Sequence, residues 1–90
     1  MKVYDKAEWH IDGGEDKNEV IKKFKEIFSF LYDMNMLSDE GKEIVDIGID
    51  ASISLHERLL TAEGTLFIEQ HYDNLINLNS NEIAIKLSNI

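Results

Sequence analysis

The sequence predicts a small, mainly α-helical domain, a bundle of three to four helices. Three observations carry this reading. Across Asn18–Leu37 (NEVIKKFKEIFSFLYDMNML), Val20, Phe24, Ile27, Phe28, Leu31 and Met34 recur at three- and four-residue steps, while Lys22, Lys23, Lys25, Glu26, Ser29 and Asp33 fall opposite. Proline, the strongest helix breaker, is absent. Helix-start signals also recur, at Ser38, Thr61 and Asn79. The alternative is an α+β domain with a short strand pair, Val3–Ile11 against Ser52–Leu55.

In chain order, Met1–Gly14 lacks a helical period. Val3, Ala7, Trp9 and Ile11 lie at alternate positions interrupted by Asp5, so a short extended arm is expected, ended by the turn-forming pair Gly13-Gly14. Trp9 is the only tryptophan and is expected to dock over one end of the core. Asp16 and Glu19 then have capping-box spacing at the start of the central helix. Phe30 and Tyr32 stand off its main stripe and face either a second layer or a partner.

Leu37-Ser38-Asp39-Glu40-Gly41 is echoed by Leu60-Thr61-Ala62-Glu63-Gly64. In each, a hydroxyl residue supplies the N-cap, acids follow where the helix dipole favours them, and glycine permits close backbone approach. The first opens a short helix to Ile47 with Ile44, Val45 and Ile47 inward, stopped by Gly48. Between them, Ile49, Ala51, Ile53 and Leu55 alternate with polar residues, which predicts a strand or extended connector at Ser52–Leu55. The second opens a helix over Thr61–Leu78. Leu66, Phe67, Gln70, Asn74 and Leu75 run along one side, with Ile68, Tyr72 and Ile76 beside them. Asn79 and Glu82 form another capping box, ahead of Ile83, Leu87 and Ile90.

Ninety residues, 43% hydrophobic and 30% charged, fit one domain with an N-terminal arm (1–14) and a helical core (15–90). The absence of cysteine excludes disulfides and thiolate metal sites. MKVYDKAEWH does not read as a signal peptide and no apolar run reaches the roughly 20 residues of a membrane span, so a cytoplasmic protein without membrane contact is expected. Eighteen acids against nine bases give −9, and residues 39–73 alone hold nine acids and two bases. That field repels phosphates and attracts basic surfaces.

No arrangement points to chemistry. His10, His56 and His71 show no metal-ligand spacing and are expected to be polar surface residues. Ser54 and His56 would share one strand face without a third group, and Gly13-Gly14 resembles no phosphate loop. No catalytic residue, metal ligand or cofactor site is therefore assigned. Leu-Thr-x-Glu-Gly opening a helix is similar to winged-helix regulators, yet no basic recognition helix accompanies it, so nucleic acid is an unfavourable partner.

The opening Tyr4-Asp5-Lys6-Ala7-Glu8-Trp9-His10, with Gly13, resembles the YDKAxWHxxG start of small bacterial proteins, some of them similar to immunity proteins of toxin systems. The resemblance implies a protein that blocks a basic toxin or enzyme. It transfers no catalytic residue. The expected function is thus a non-catalytic acidic interaction module, with Trp9, Tyr32, Asp46, Asp50 and Glu57 as partner-binding candidates. A degenerate winged-helix regulator is the alternative, and pairing of exposed aromatics in a homodimer is a further arrangement the sequence leaves open.

Overall fold

The computed structural model describes residues 1–90 and is mainly helical. Its elements are β1 (Val3–Lys6), α1 (Ala7–Asp12), α2 (Lys17–Asp33), α3 (Asp39–Ile47), β2 (Ser54–His56), a 3₁₀ turn (Glu57–Leu59), α4 (Ala62–Ile76) and α5 (Ser80–Ser88). The five helices accompany one two-stranded antiparallel sheet, so the bundle and the strand pair coexist. No helix is long and apolar enough to cross a membrane.

α2 is the hub. Phe24, Ile27, Phe28 and Leu31 are fully buried, and one cluster of 17 apolar side chains draws on α1, β2, the 3₁₀ turn, α4 and α5 around them, while Tyr4 of β1 and Ile44 and Val45 of α3 pack against it half-buried. Burying each such side chain contributes about 1.5–3 kcal/mol. Asp16 caps α2 through Glu19 N–H. Glu19 does not complete a reciprocal box. Its carboxylate instead accepts from the Ser80 N–H (2.7 Å) and hydroxyl (2.8 Å), tying the start of α5 to the start of α2. Asn79 and Glu82 do form the full capping box on α5.

α2 ends earlier than its apolar pattern suggests. Asn35 takes a left-handed φ of 57°, and the Asn35 and Met36 N–H groups reach back to the Tyr32 and Leu31 carbonyls, the closing pair of a Schellman turn. Met34, expected in the core stripe, sits at that turn and is half exposed. Phe30 packs on Phe67, ring centroids 5.1 Å apart, while Tyr32 remains exposed.

The two echoed segments meet. Leu37 and Leu60 form an isolated antiparallel bridge, with Ser38 N–H donating to Leu59 C=O (2.9 Å) and Thr61 N–H to Met36 C=O (3.0 Å). Ser38 and Thr61 cap α3 and α4 through the N–H groups of Gly41 and Gly64. The arrangement has near-twofold symmetry, each helix starting against the other's lead-in strand. The glycines are required by this approach. A Cβ on Gly41 would lie 2.3 Å from Leu59 O, and one on Gly64 2.2 Å from Met36 O.

Three other expectations need correction. Ala7–Asp12 is a helical turn and a half, not an extended arm: Ala7 and Ile11, one turn apart, face the interior, which turns Trp9 outward to 55% exposure instead of over the core. Ile47 is 79% exposed because α3 stops there, leaving Ile44 and Val45 to meet the core. On α4 the buried side is Gly64, Phe67, Ile68, Tyr72 and Leu75, so Leu66 faces solvent, as does Ile90 beyond the end of α5.

Alanine favours helices over glycine by about 1 kcal/mol, yet Gly41→Ala and Gly64→Ala are each expected to destabilise the protein by about 1–3 kcal/mol, since the clash is with backbone. Denaturant unfolding measures this. Unchanged or raised stability in either variant would show that the two lead-in strands do not cross so closely.

Candidate functional site

Two features stand out from an otherwise ordinary surface: a chain of polar side chains running inward, and an open cleft beside β2.

The polar chain starts at Asp5, which the β1 backbone turns inward. It is 6% exposed. Its Oδ2 accepts from the Tyr72 hydroxyl (2.5 Å) and pairs with His10 Nε2 (2.6 Å), and its Oδ1 accepts from Lys6 N–H (2.8 Å). His10 Nδ1 pairs with Glu15 (2.8 Å), whose other oxygen accepts from Lys23 Nζ (3.1 Å). Lys23, itself buried, also donates to the Ile76 carbonyl (3.2 Å). β1, α1, α2 and α4 are thereby joined by alternating charge.

His10 is therefore not the surface histidine its sequence context suggests. Burial favours its neutral ring, but hydrogen bonds and charge from Asp5 and Glu15 outweigh that and hold its pKa above the ordinary 6.5. Burial likewise opposes ionisation of Glu15, while His10 and Lys23 outweigh it and depress its pKa. Hydrogen bonds from Ser80 depress Glu19. Burial first, then the bond to Asp5, pushes the Tyr72 phenol far above its usual range, so Tyr72 acts as a donor. An imidazole serving as general base needs one nitrogen free for a substrate proton. Both nitrogens of His10 face carboxylates, so the geometry makes it a clasp. No three carboxylate or histidine side chains converge as a metal-ligand set.

The cleft lies between the C-terminal half of α3 and β2. It encloses about 340 Å³ and is lined by Ile44, Ile47, Gly48, Asp50, Ser52, Ile53, Ser54 and His56. Gly48, at φ 123°, turns the chain out of α3, and Asp50 caps the return by accepting from the Ser52 N–H and hydroxyl, bonds that depress its pKa. His56 Nδ1 is buried in the wall without a hydrogen-bond partner. A second recess of about 310 Å³ beside α4 is served from within: the Lys2 ammonium lies 4.9 Å from the Tyr4 ring centroid and 3.5 Å from Glu69.

Comparison with protein-family models, with curated proteins and with solved structures finds no match to this chain. The function must be argued from the geometry.

The five candidate residues are all exposed but do not form one patch. Asp50 lines the cleft, Asp46 precedes its lining residue Ile47 on α3, and Glu57 follows β2 directly. Trp9 is on α1, whose first N–H, from Ala7, bonds Ile53 C=O at the start of β2. Tyr32, near the C-terminal end of α2, lines no part of the cleft. Sequence reasoning missed Ile47 as an exposed apolar residue. It also missed the Asp5–Tyr72 pairing, whose partners are 67 positions apart.

Two outcomes test the clasp. Tyr72→Phe should cost about 1.5–3 kcal/mol, the range for a hydrogen bond to a charged group. Stability should also peak between pH 4.5 and 6.5, the unshifted Glu and His values. The His10 contribution is complete below 6.5 and fades as pH rises through its raised value, whereas those of Glu15 and Glu19 are complete above 4.5 and fade as pH falls through their lowered ones. Urea midpoints across pH read this, and His10→Gln should flatten the alkaline limb. An unaltered limb in that variant would remove His10 from the clasp.

Proposed function

We propose that this protein is a non-catalytic interaction module that binds a basic partner protein through the acidic surface of residues 39–73, in the manner of an immunity or inhibitor protein. One observation carries the reading. Of the nine acids in that segment only Glu69 has an ion-pair partner, and the other eight are exposed without one. Asp50 holds a turn and Asp39, Glu40 and Glu63 suit the starts of α3 and α4, but none of the eight is ion-paired with a base of this chain. Self-repulsion of this kind costs stability and is offset when a cationic surface arrives, which also accelerates encounter.

Apolar anchors accompany the charge. Ile47, next to Asp46 in the chain, is exposed and lines the cleft together with Asp50, so a partner would meet an apolar contact and a carboxylate in one place. The same charge disfavours the regulator reading. α4, which the Leu-Thr-x-Glu-Gly signal opens, contains no Lys or Arg, and β1 and β2 are joined through three helices instead of a hairpin wing.

Capture from cells that carry the protein tests this. The wild-type chain should retain a basic protein at low salt and release it at about 0.5 M, where screening is nearly complete. Asp46→Lys, Asp50→Lys and Glu57→Lys combined should lower retention at least about tenfold, or 1.4 kcal/mol, with circular dichroism unchanged. Equal capture by the reversed variant would overturn the acidic-surface reading.

A further inference from the structure

The two-stranded sheet has an outer edge that the fold leaves unpaired. β1 pairs with β2 through Val3↔His56, Asp5↔Leu55 and Lys6↔Ser54, with a bulge between Val3 and Asp5. The bonds at its two ends fix which backbone groups face which way. Glu57 N–H donates to Lys2 C=O (3.0 Å), one residue beyond the Val3↔His56 pair, and Ala7 N–H donates to Ile53 C=O (3.1 Å), one beyond Lys6↔Ser54. Both pairs are therefore of the non-hydrogen-bonded kind, in which the N–H and C=O groups point away from the partner strand. Those groups of Ser54 and His56 consequently point to the far side of β2. Neither N–H takes part in any backbone bond outside the ladder, nor does the Ser54 C=O, whereas the His56 C=O opens the 3₁₀ turn. The cleft runs along that far side: Ser54 and His56 form one wall, Ile44 and Ile47 of α3 the other.

We infer that this edge receives an extended segment of the partner as a third strand, with a basic residue against Asp50 and an apolar one against Ile44 and Ile47. The inference rests on the basic-partner reading above and gives it a mode. Three outward backbone groups, the N–H of Ser54 and His56 and the C=O of Ser54, set the main-chain part of the recognition, and the cleft and its acid set the side-chain part. Charge decides the occupant. A second copy of this chain would set its own Asp50 and Glu57 against those of the first, with −9 on each molecule, so self-pairing through β2 is opposed. A cationic strand meets the opposite field.

The probe is a seven-residue peptide of alternating lysine and valine, titrated into the isotopically labelled full chain at low salt. Two relatives carry N-methyl groups, one on every lysine nitrogen and one on every valine nitrogen. A helical alanine–lysine peptide of equal charge is the control. In a strand, alternate N–H groups face opposite edges, so one methylated peptide should bind at least about tenfold more weakly while the other binds nearly as the parent. The Ser54 and His56 amides should become at least about tenfold more protected from exchange. Ser54→Pro should abolish binding without unfolding the chain, since proline is tolerated where the N–H faces outward. Equal binding of both methylated peptides, or of the helical control, would overturn strand addition and leave the basic-partner reading standing. Failure of every basic peptide to bind would overturn both. Protection of Ser54 and His56 that grows with protein concentration alone would show self-pairing and overturn the inference.

Discussion

The Asp5 carboxylate is the point on which the rest of the molecule depends. A buried carboxylate is tolerable only when its oxygens are satisfied by donors and its charge by a neighbour. Here Tyr72, His10 and the Lys6 N–H supply both. Each donor comes from a different surrounding: α4, α1 and the strand itself. Losing any one leaves an unpaired group in the interior, a far larger penalty than the loss of a surface contact. A four-residue strand and a six-residue helix have little stability of their own. They are ordered because the Asp5 clasp and the burial of Ala7 order them.

The consequences reach the cleft. β2 is only three residues long and has one strand neighbour, so its position follows from that of β1. The opposite wall, α3, is placed by the crossed start of α3 and α4, where Ser38 and Thr61 each cap one helix while their backbone N–H groups bind the other's lead-in carbonyl. Two separate constraints thus set the two walls. The space between them is what remains when neither can move toward the other.

Much of this was legible in the sequence and some was not, for identifiable reasons. Long apolar periodicity revealed α2 and α4, and hydroxyl and amide caps revealed where α3, α4 and α5 begin. The repeated Leu-hydroxyl-x-Glu-Gly pattern revealed close backbone approach at Gly41 and Gly64, although not that the two approaches are to each other. α1 was hidden because six residues show barely one period, and at that length Ala7, Trp9 and Ile11 fit a strand equally well. Trp9 and His10 then exchanged their expected environments, one outward and one inward, as the 100° step of a helix replaces the 180° step of a strand. Met34 followed the helical stripe in sequence, but Asn35 ended the helix before it could matter. The polar clasp was invisible because Asp5 and Tyr72 lie at opposite ends of the chain. The free edge was invisible for a different reason: which side of β2 is unpaired depends on the register with β1, which no local pattern encodes.

An unpaired strand edge is ordinarily a hazard, since it offers a template to any extended chain. This protein limits the hazard by shortness and by charge. Three residues give few bonds to a chance encounter, and the surrounding carboxylates repel other copies of the same molecule and acidic chains in general. Neither device obstructs a cationic segment. Under the proposed reading, the surface whose charge opposes self-pairing is the same surface that would select the partner, and the two properties cannot be separated by mutation: removing Asp50 and Glu57 would weaken the hold on a basic strand and at the same time lift the repulsion between copies. Carboxylates without ion pairs in the isolated chain become consistent once the missing positive charge is assigned to another protein.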